Sequence, residues 1–384
     1  MSRRRPLDGV LVVALEQAVA APLATCRLAD AGARVLKIER DRGDFARHYD
    51  DAAGGESAYF AWLNRGKESI VLDIKDDADR PLLDRLLARA DVFVQNLAPG
   101  AAARAGVGSE TLRRRHPRLV TCDVSGYGEH GPYRDRRAYD LLVQAESGLT
   151  SITGRPEGPG RVGVSACDIA AGLYAHGAIL EALLLRERTG AGSAIQVSLF
   201  DSMADWMTVP LLHHDYAGLE WRRVGLAHPT IAPYGAYRVA DGSEVLIAVQ
   251  NDEEFRRLAG TVLDDAALAD DPRFRTNSDR VAYREALDLV IGRRLAKSSR
   301  EELARRLDGA RIAWGAVSTV ADLSRHPQLR RTSLETPHGT IEVPAPPAIV
   351  DGERPSLGRV PALGEHTAAI RREFARAVSD PTER

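Results

Sequence analysis

Apolar runs and amphipathic stretches take turns along the first two hundred residues, and few folds accept that alternation. Residues 10–15 form an unbroken apolar run, the pattern of a strand buried on both faces. Residues 22–31 follow at helical period, with Pro22 in the first turn and Gly32 at the stop. The pattern then repeats, with strands expected at 33–39, 69–74, 91–95, 119–125 and 193–199 and helices at 78–90, 109–115 and 168–188. Such alternation predicts a mostly parallel α/β sheet that receives ligands at the carboxyl ends of its strands. Loops 16–22, 40–67, 96–104 and 126–140 would open on that edge, and 41–67 reads as one long polar loop.

From about residue 216 the texture changes. Residues 232–239 and 244–249 read as a hairpin turning at Asp241-Gly242, with helices near 252–261 and 284–295. The expected organisation is a Rossmann-like parallel-sheet domain of residues 1–215 and 321–384 plus a smaller α+β domain at 216–320. Residues 340–362, rich in proline, are expected to run extended over the surface. A formal net charge of -2 gives no reason to expect nucleic acid or an anionic membrane as partner. Cys26, Cys122 and Cys167 are too few and too scattered for a disulfide framework or a metal site, and no apolar run reads as membrane-spanning. These features predict a cytoplasmic protein without a metal.

Asp168 opens the longest helical run, with Ile169, Leu173, His176, Ile179 and Leu183 at helical spacing. Aspartate is a good N-cap, and the unpaired amides of a first turn favour its ionised form, so a capping role is the plain structural reading. Gly126-Tyr127-Gly128-Glu129-His130-Gly131 is a G-x-G-x-x-G run, but a charged turn follows it instead of a helix, and its strand is not the first of the sheet. Nicotinamide or flavin binding is rejected on those grounds. His213-His214 diverge as helical neighbours and make a poor metal pair. Gly-x-Ser-x-Gly does not occur. Arg40, Lys75, Arg104 and Arg137 fall at or just past successive strand ends, where convergence would suit a polyanion.

Taken together, these pieces resemble the family III CoA transferases, a group that includes the α-methylacyl-CoA racemases. The matching residues are Pro6-Leu7-Asp8-Gly9-Val10, Ala33 through Arg40, Gly43-Asp44, Asn64-Arg65-Gly66-Lys67-Glu68-Ser69-Ile70 and Leu72-Asp73-Ile74-Lys75. Asp91 through Asn96, Pro99-Gly100, Gly131-Pro132-Tyr133, Tyr139-Asp140, Arg188-Thr189-Gly190 and Leu363-Gly364-Glu365-His366-Thr367 continue the match in order.

The resemblance implies that Asp168 is a nucleophile forming an aspartyl anhydride and then an aspartyl-CoA thioester. CoA is then a substrate, with no tightly bound cofactor. It also implies that Val19 and Ala20 pass the CoA, that Arg40 and Lys75 face its phosphates, and that Leu72, Asn96 and Leu97 line its adenine and ribose side. Arg104 and Arg137 become further phosphate or pantetheine contacts, with Tyr139 and Asp140 near the thioester. The racemases carry a histidine where this chain has Tyr139, and a phenol is a poor base near neutral pH, which favours transfer over racemisation. The motifs look most like the itaconate and mesaconyl-type transferases of C5 dicarboxylates, which suggests succinyl-CoA as donor and itaconate, mesaconate or citramalate as acceptor. Arg223, His228 and Tyr234 are candidates for holding the acceptor carboxylate. An interlocked homodimer is implied as well. A 2-methylacyl-CoA racemase or epimerase and a non-catalytic CoA-binding protein are the alternatives.

Overall fold

The computed structural model describes residues 5–375, so part of the basic start lies outside the described residues. It divides into two units, one of residues 1–149, 161–211 and 330–384, the other of residues 150–160 and 212–329.

The first unit is built on six parallel strands: β1 (Leu11–Leu15), β2 (Arg34–Glu39), β3 (Lys67–Val71), β4 (Val92–Gln95), β5 (Val120–Ser125) and β6 (Ala194–Ser198). Their order is β3-β2-β1-β4-β5-β6, so the chain reverses direction across the sheet between β1 and β4. That switch point is where open α/β sheets receive ligands. Successive strand residues feed opposite layers, as pleating requires. Val12 and Ala14 pack with the helices α1 (Ala20–Asp30) and α6 (Ala166–Thr189), whereas Val13 and Leu15 pack with α3 (Arg80–Arg89). Between these lie α2 (Ala58–Asn64), α4 (Ser109–Arg115) and α5 (Asp140–Glu146).

An exposed edge strand invites unwanted pairing, and here the C-terminal segment covers it. His366 Nδ1 accepts from the Ser69 amide at 3.2 Å, Thr367 Oγ1 accepts from the Val71 amide at 3.0 Å, and the Gly364 amide donates to Ser69 Oγ at 2.9 Å. The Leu363-to-Thr367 motif is therefore a cover for β3.

Two expectations change. Residues 41–67 are not one loop: a short 3-10 turn, Phe45–His48, is capped by Asp44, and α2 is capped by Ser57. Residues 339–344 form a strand paired antiparallel with Arg331–Thr336, so the proline-rich stretch begins extended but held in a ladder, and it folds back at the Val350–Glu353 bridge. Helix α6 also corrects the view that no run is long enough to span a membrane, since by length and composition it is. Its apolarity has a local use, because Ala170, Ala171, Ala175 and Ile179 are buried in the layer shared with α1.

The second unit has a three-stranded antiparallel sheet, with Tyr234–Arg238 and Glu244–Ala248 joined at Gly242 (φ +81°) and Ala313–Ala316 on the other side of Glu244–Ala248. Helices Asp252–Arg257, Arg284–Leu295 and Arg300–Gly309 enclose its core. Arg280, 1 % exposed, holds that core together through the carbonyls of Ala232 (2.6 Å) and Phe274 (3.0 Å) and the carboxylate of Asp252 (2.7 Å).

Candidate active site

The site lies in the first unit, around the start of α6. From the end of β5 the chain leaves through Gly126 and returns at Ala138. A Cβ on Gly126 would stand 2.2 Å from the Ala138 Cβ, so only glycine admits that return pass. This gives the Gly126 motif a steric role, independent of dinucleotides. The return delivers Tyr139, exposed, and Asp140, buried, to the first turn of α5.

Asp140 then does what an N-cap side chain does, but for a different helix. Its Oδ1 accepts from the amides of Cys167 (2.8 Å) and Asp168 (3.3 Å), the second and third residues of α6. Its Oδ2 accepts from Gln144 Nε2 at 2.7 Å, and Gln144 Oε1 accepts from the Val162 amide at 2.9 Å. Ser165, the actual N-cap residue of α6, makes no side-chain cap bond.

Two readings of Asp168 are corrected by this arrangement. It is not the cap, because the helix begins at Ala166 and Asp140 occupies the first-turn amides. Nor does the helix terminus keep it fully ionised. Burial, and after it the negative charge of Asp140, push the Asp168 carboxyl up to about 7. Among the described residues no ion pair or side-chain hydrogen bond holds that carboxylate. A half-buried, unpaired acid titrating near neutrality has the features of a nucleophile. Its neighbour Cys167 does not: burial, then Asp140 and Asp168, push its thiol up to about 12.

A pH dependence follows. The Asp168 carboxyl is expected to titrate with its midpoint near 7, so that its anion grows about tenfold per pH unit below 7 and levels off above it. Asp140→Asn removes the neighbouring charge and is expected to move that midpoint down by about one unit. Carboxyl-carbon NMR of Asp168 against pH reads both, and a midpoint near 4 in the unsubstituted protein contradicts the burial argument.

Helix α1 reaches α6 one turn past Asp168. At Gly172 a Cβ would meet the Ala20 carbonyl oxygen at 2.7 Å and the Leu23 Cβ at 3.0 Å. Residues four apart share a helix face, so Gly172 and Asp168 look toward the same side. Val19 and Ala20, both 3 % exposed, are thus brought to the α6 start, and Ala18, Val19, Tyr59 and Ile169 form one apolar cluster. Asn96 joins the loops after β1 and β4 across the switch point: its Oδ1 accepts from the Gln17 amide at 2.9 Å and its Nδ2 donates to the Gln17 carbonyl at 2.8 Å. Leu97 is half-buried beside it, whereas the Leu72 side chain is 2 % exposed and packs in the core layer under the β3 end.

Arg40, Lys75, Arg104 and Arg137 are exposed, and among the described residues none is held in an ion pair. Elsewhere in the same unit arginines are engaged: Arg34 with Glu68 and Glu373, Arg47 with Glu39, Arg65 with Asp30. These cations without an ion pair, of which Arg104 donates to the Pro99 carbonyl at 3.2 Å, follow β2, β3, β4 and β5, the ligand-receiving edge.

Arg223, His228 and Tyr234 belong to the second unit. The Arg223 guanidinium is occupied by the carbonyls of Arg155 (3.1 Å), Ser151 (3.2 Å) and Pro156 (3.4 Å). His228 stacks on Tyr234 at 5.3 Å, and burial and then Arg284 hold it below the ordinary histidine range.

Sequence reasoning missed Tyr49. Burial raises its hydroxyl to about 12, followed by the charges of Asp44 and Asp168, so it stands within electrostatic reach of both. Its loop has no periodicity to mark it, and the adjoining Gly43-Asp44 was the only cue. His213 and His214 face different partners, Trp221 and Glu220, and among the described residues no cluster of acids, histidines or cysteines has the makings of a metal site.

A sequence model of CoA-transferase family III matches residues 7–367, and the chain belongs to that family of enzymes. It is 37 % identical to an acetyl-CoA:oxalate CoA-transferase of Acetobacter aceti, covering 96 % of each chain. It is 36 % identical to a succinate–glutarate CoA-transferase of Agrobacterium fabrum, covering 97 % of this chain and 96 % of the other. The crystal structure of a CAIB/BAIF family protein from Brucella suis superimposes with a TM-score of 0.84 at 37 % identity, over 97 % of this chain and all of that one.

Proposed function

We propose that this CoA transferase moves CoA from succinyl-CoA to a second dicarboxylate, with Asp168 as the covalent relay. The Asp168 carboxylate attacks the thioester carbonyl, giving an aspartyl-succinyl anhydride and releasing CoA thiolate. The thiolate attacks the aspartyl carbonyl, succinate leaves, and an aspartyl-CoA thioester remains. The acceptor carboxylate attacks that thioester, and the thiolate freed again takes the acceptor acyl group, which regenerates Asp168. Every bond made to the aspartate is broken again, so no other reactant is consumed.

The observation that carries this reading is the unpaired Asp168 at the start of α6, raised to about 7 among buried neighbours. Desolvation leaves the anion more reactive toward a carbonyl and limits water near the anhydride. Arg40, Lys75, Arg104 and Arg137 would bind the CoA phosphates and neighbouring pantetheine, and Val19 and Ala20 would flank the arm that reaches Asp168. Asn96 would support that path through Gln17, with Leu97 against the ribose side and Tyr139 and Asp140 beside the thioester. Arg40→Ala is expected to raise KM for succinyl-CoA about tenfold, roughly 1.4 kcal/mol, with kcat nearly unchanged and the difference shrinking at high salt. An unchanged KM removes Arg40 from the binding edge.

The relatives act on oxalate, and on succinate and glutarate, by their names. The motifs of this chain resemble transferases of C5 dicarboxylates. A panel of succinyl-CoA against itaconate, mesaconate, citramalate, glutarate and oxalate, read as new acyl-CoA by chromatography, tests the acceptor. The account expects a dicarboxylate to be preferred over acetate or butyrate, and equal use of monocarboxylates contradicts it.

We also propose a homodimer. Leu173, Tyr174, Leu180, Leu184 and Leu185 on α6 and Trp206 and Val209 beyond it are exposed in the single chain, more apolar surface than a monomer usually shows. Light scattering at micromolar concentration is expected to give twice the chain mass. The three cysteines are buried and unbridged, which fits a reducing cytoplasmic compartment.

A further inference from the structure

We propose that Asp44 is a positioning residue that holds the Gln17–Ala18 turn in the bend bringing the chain beside Asp168. The proposal rests on the transferase reading and adds to it a residue that touches neither substrate nor nucleophile.

The turn is strained. Ala18 has φ +62°, a left-handed conformation that a residue with a Cβ adopts only when its surroundings over-determine it. Side chains supply that determination at each step. Lys37 Nζ donates to the Glu16 carbonyl at 3.3 Å, Asn96 brackets Gln17 on both sides, and the Ala18 amide donates to Asp44 Oδ1 at 3.1 Å. Asp44 is itself fixed. It is 4 % exposed, its Oδ1 also accepts from the Ala46 amide at 3.0 Å, and its Oδ2 accepts from the fully buried Lys37 ammonium at 2.8 Å.

Buried ion pairs of this kind are no better for stability than apolar side chains of the same volume. Their presence under a strained turn at the sheet's switch point therefore asks for another role. The turn's location supplies it: Ala18 and Val19 share an apolar cluster with Ile169, the residue after Asp168, and the Ala20 carbonyl rests on Gly172, one turn further. Tyr49 feels the charges of both Asp44 and Asp168, so both carboxylates lie within electrostatic reach of one hydroxyl. If the Ala18 amide loses its acceptor, the bend relaxes and the wall beside the nucleophile moves. Misplacement on that scale reduces turnover more than binding.

Two double variants isolate the effect, because both remove the Lys37–Asp44 pair together and leave buried Glu16 paired with Lys67. Lys37→Met with Asp44→Asn keeps a side-chain oxygen for the Ala18 amide, while Lys37→Met with Asp44→Leu does not. The second is expected to turn over about 30-fold more slowly than the first, with KM for succinyl-CoA within about threefold. Ala18→Gly added to both decides the matter if neither double variant folds. Glycine holds φ +62° without strain and so steadies both double variants, and in that background the gap in kcat between Asp44→Asn and Asp44→Leu is expected to shrink from about 30-fold to about threefold. Equal kcat in the two double variants, or a gap of about 30-fold that persists when Ala18→Gly is added to both, overturns the proposal. Hydroxylamine trapping in the unsubstituted enzyme is the control: without an Asp168 adduct there, the transferase mechanism fails, and not the role of Asp44.

Discussion

Asp168→Asn is expected to lower CoA transfer by at least about 10³-fold and, above neutral pH, to make the protein more stable. The first effect follows from the loss of the only group in the scheme that takes an acyl chain. The second follows from the acid's raised titration. Its folded pKa, about 7, lies above the ordinary value of 3.8. The folded state therefore holds the proton more tightly than the unfolded chain does. Stability contributed by that proton is complete below about pH 4, falls as pH rises through the interval, and is gone above about 7. Asparagine has no such loss. Allowing for solvent that reaches the half-buried side chain, the gain at pH 8 is about 2 kcal/mol. Thermal melts at pH 5 and pH 8 read it: the variant's advantage is small at the lower pH and larger at the higher. A variant that is inactive but no more stable at pH 8 shows that the carboxylate is not held in a disfavoured ionised state. Lost activity with gained stability is what a site that works by holding an uncomfortable charge should show.

Gly172→Ala is expected to destabilise the first unit by about 2 kcal/mol and to slow transfer as well. Alanine is the better helix former by about 1 kcal/mol, but here the added methyl would lie 2.7 Å from a backbone oxygen of α1, which has no rotamer by which to move aside. Overpacking of this kind costs about 3 kcal/mol, which decides the sign. The relief available is a shift of α1, and that shift carries Ala20 and Val19 away from Asp168. Gly177, on the same helix, is the internal control, since a Cβ there meets nothing within 4 Å of it in this chain. Gly177→Ala is expected to stabilise by a few tenths to about 1 kcal/mol. Urea midpoints of the two variants should move in opposite directions, and a Gly172→Ala midpoint at or above that of the unsubstituted protein contradicts the close approach of α1 and α6.

The parallel sheet was legible because buried strands tend to be apolar on both faces, and residues 10–15 and 92–94 say so without reference to anything distant. The start of β3 was not. Lys67 opens that strand with a charged, fully buried side chain, whose charge is met by Glu16 at 2.6 Å, 51 residues away in sequence, with the Pro22 carbonyl and Asn64 Oδ1 accepting its other protons. The same applies at the site. Asp168 stood out through its place before a long helix and through the family resemblance. What governs its charge is burial and, after it, Asp140, which caps α6 from 28 residues upstream. Local patterning predicted an aspartate made more acidic by helix amides, whereas the fold gives those amides to another carboxylate and raises the first. Tyr49 and α2 were hidden for a related reason: a polar segment with one short helix has too few turns to show a period. Arg223 looked like a free cation near a hairpin, and only coordinates reveal three carbonyls around it.

The most direct test of the central claim is to locate the acyl group on the protein. Enzyme mixed with succinyl-CoA at pH 8, quenched with hydroxylamine and cleaved with trypsin, yields the peptide of residues 162–186, which spans the start of α6. The account predicts a hydroxamate on Asp168, dependent on acyl-CoA and missing from Asp168→Asn. A peptide that remains unmodified while transfer proceeds, or a hydroxamate found on Glu181 or Asp140, contradicts it.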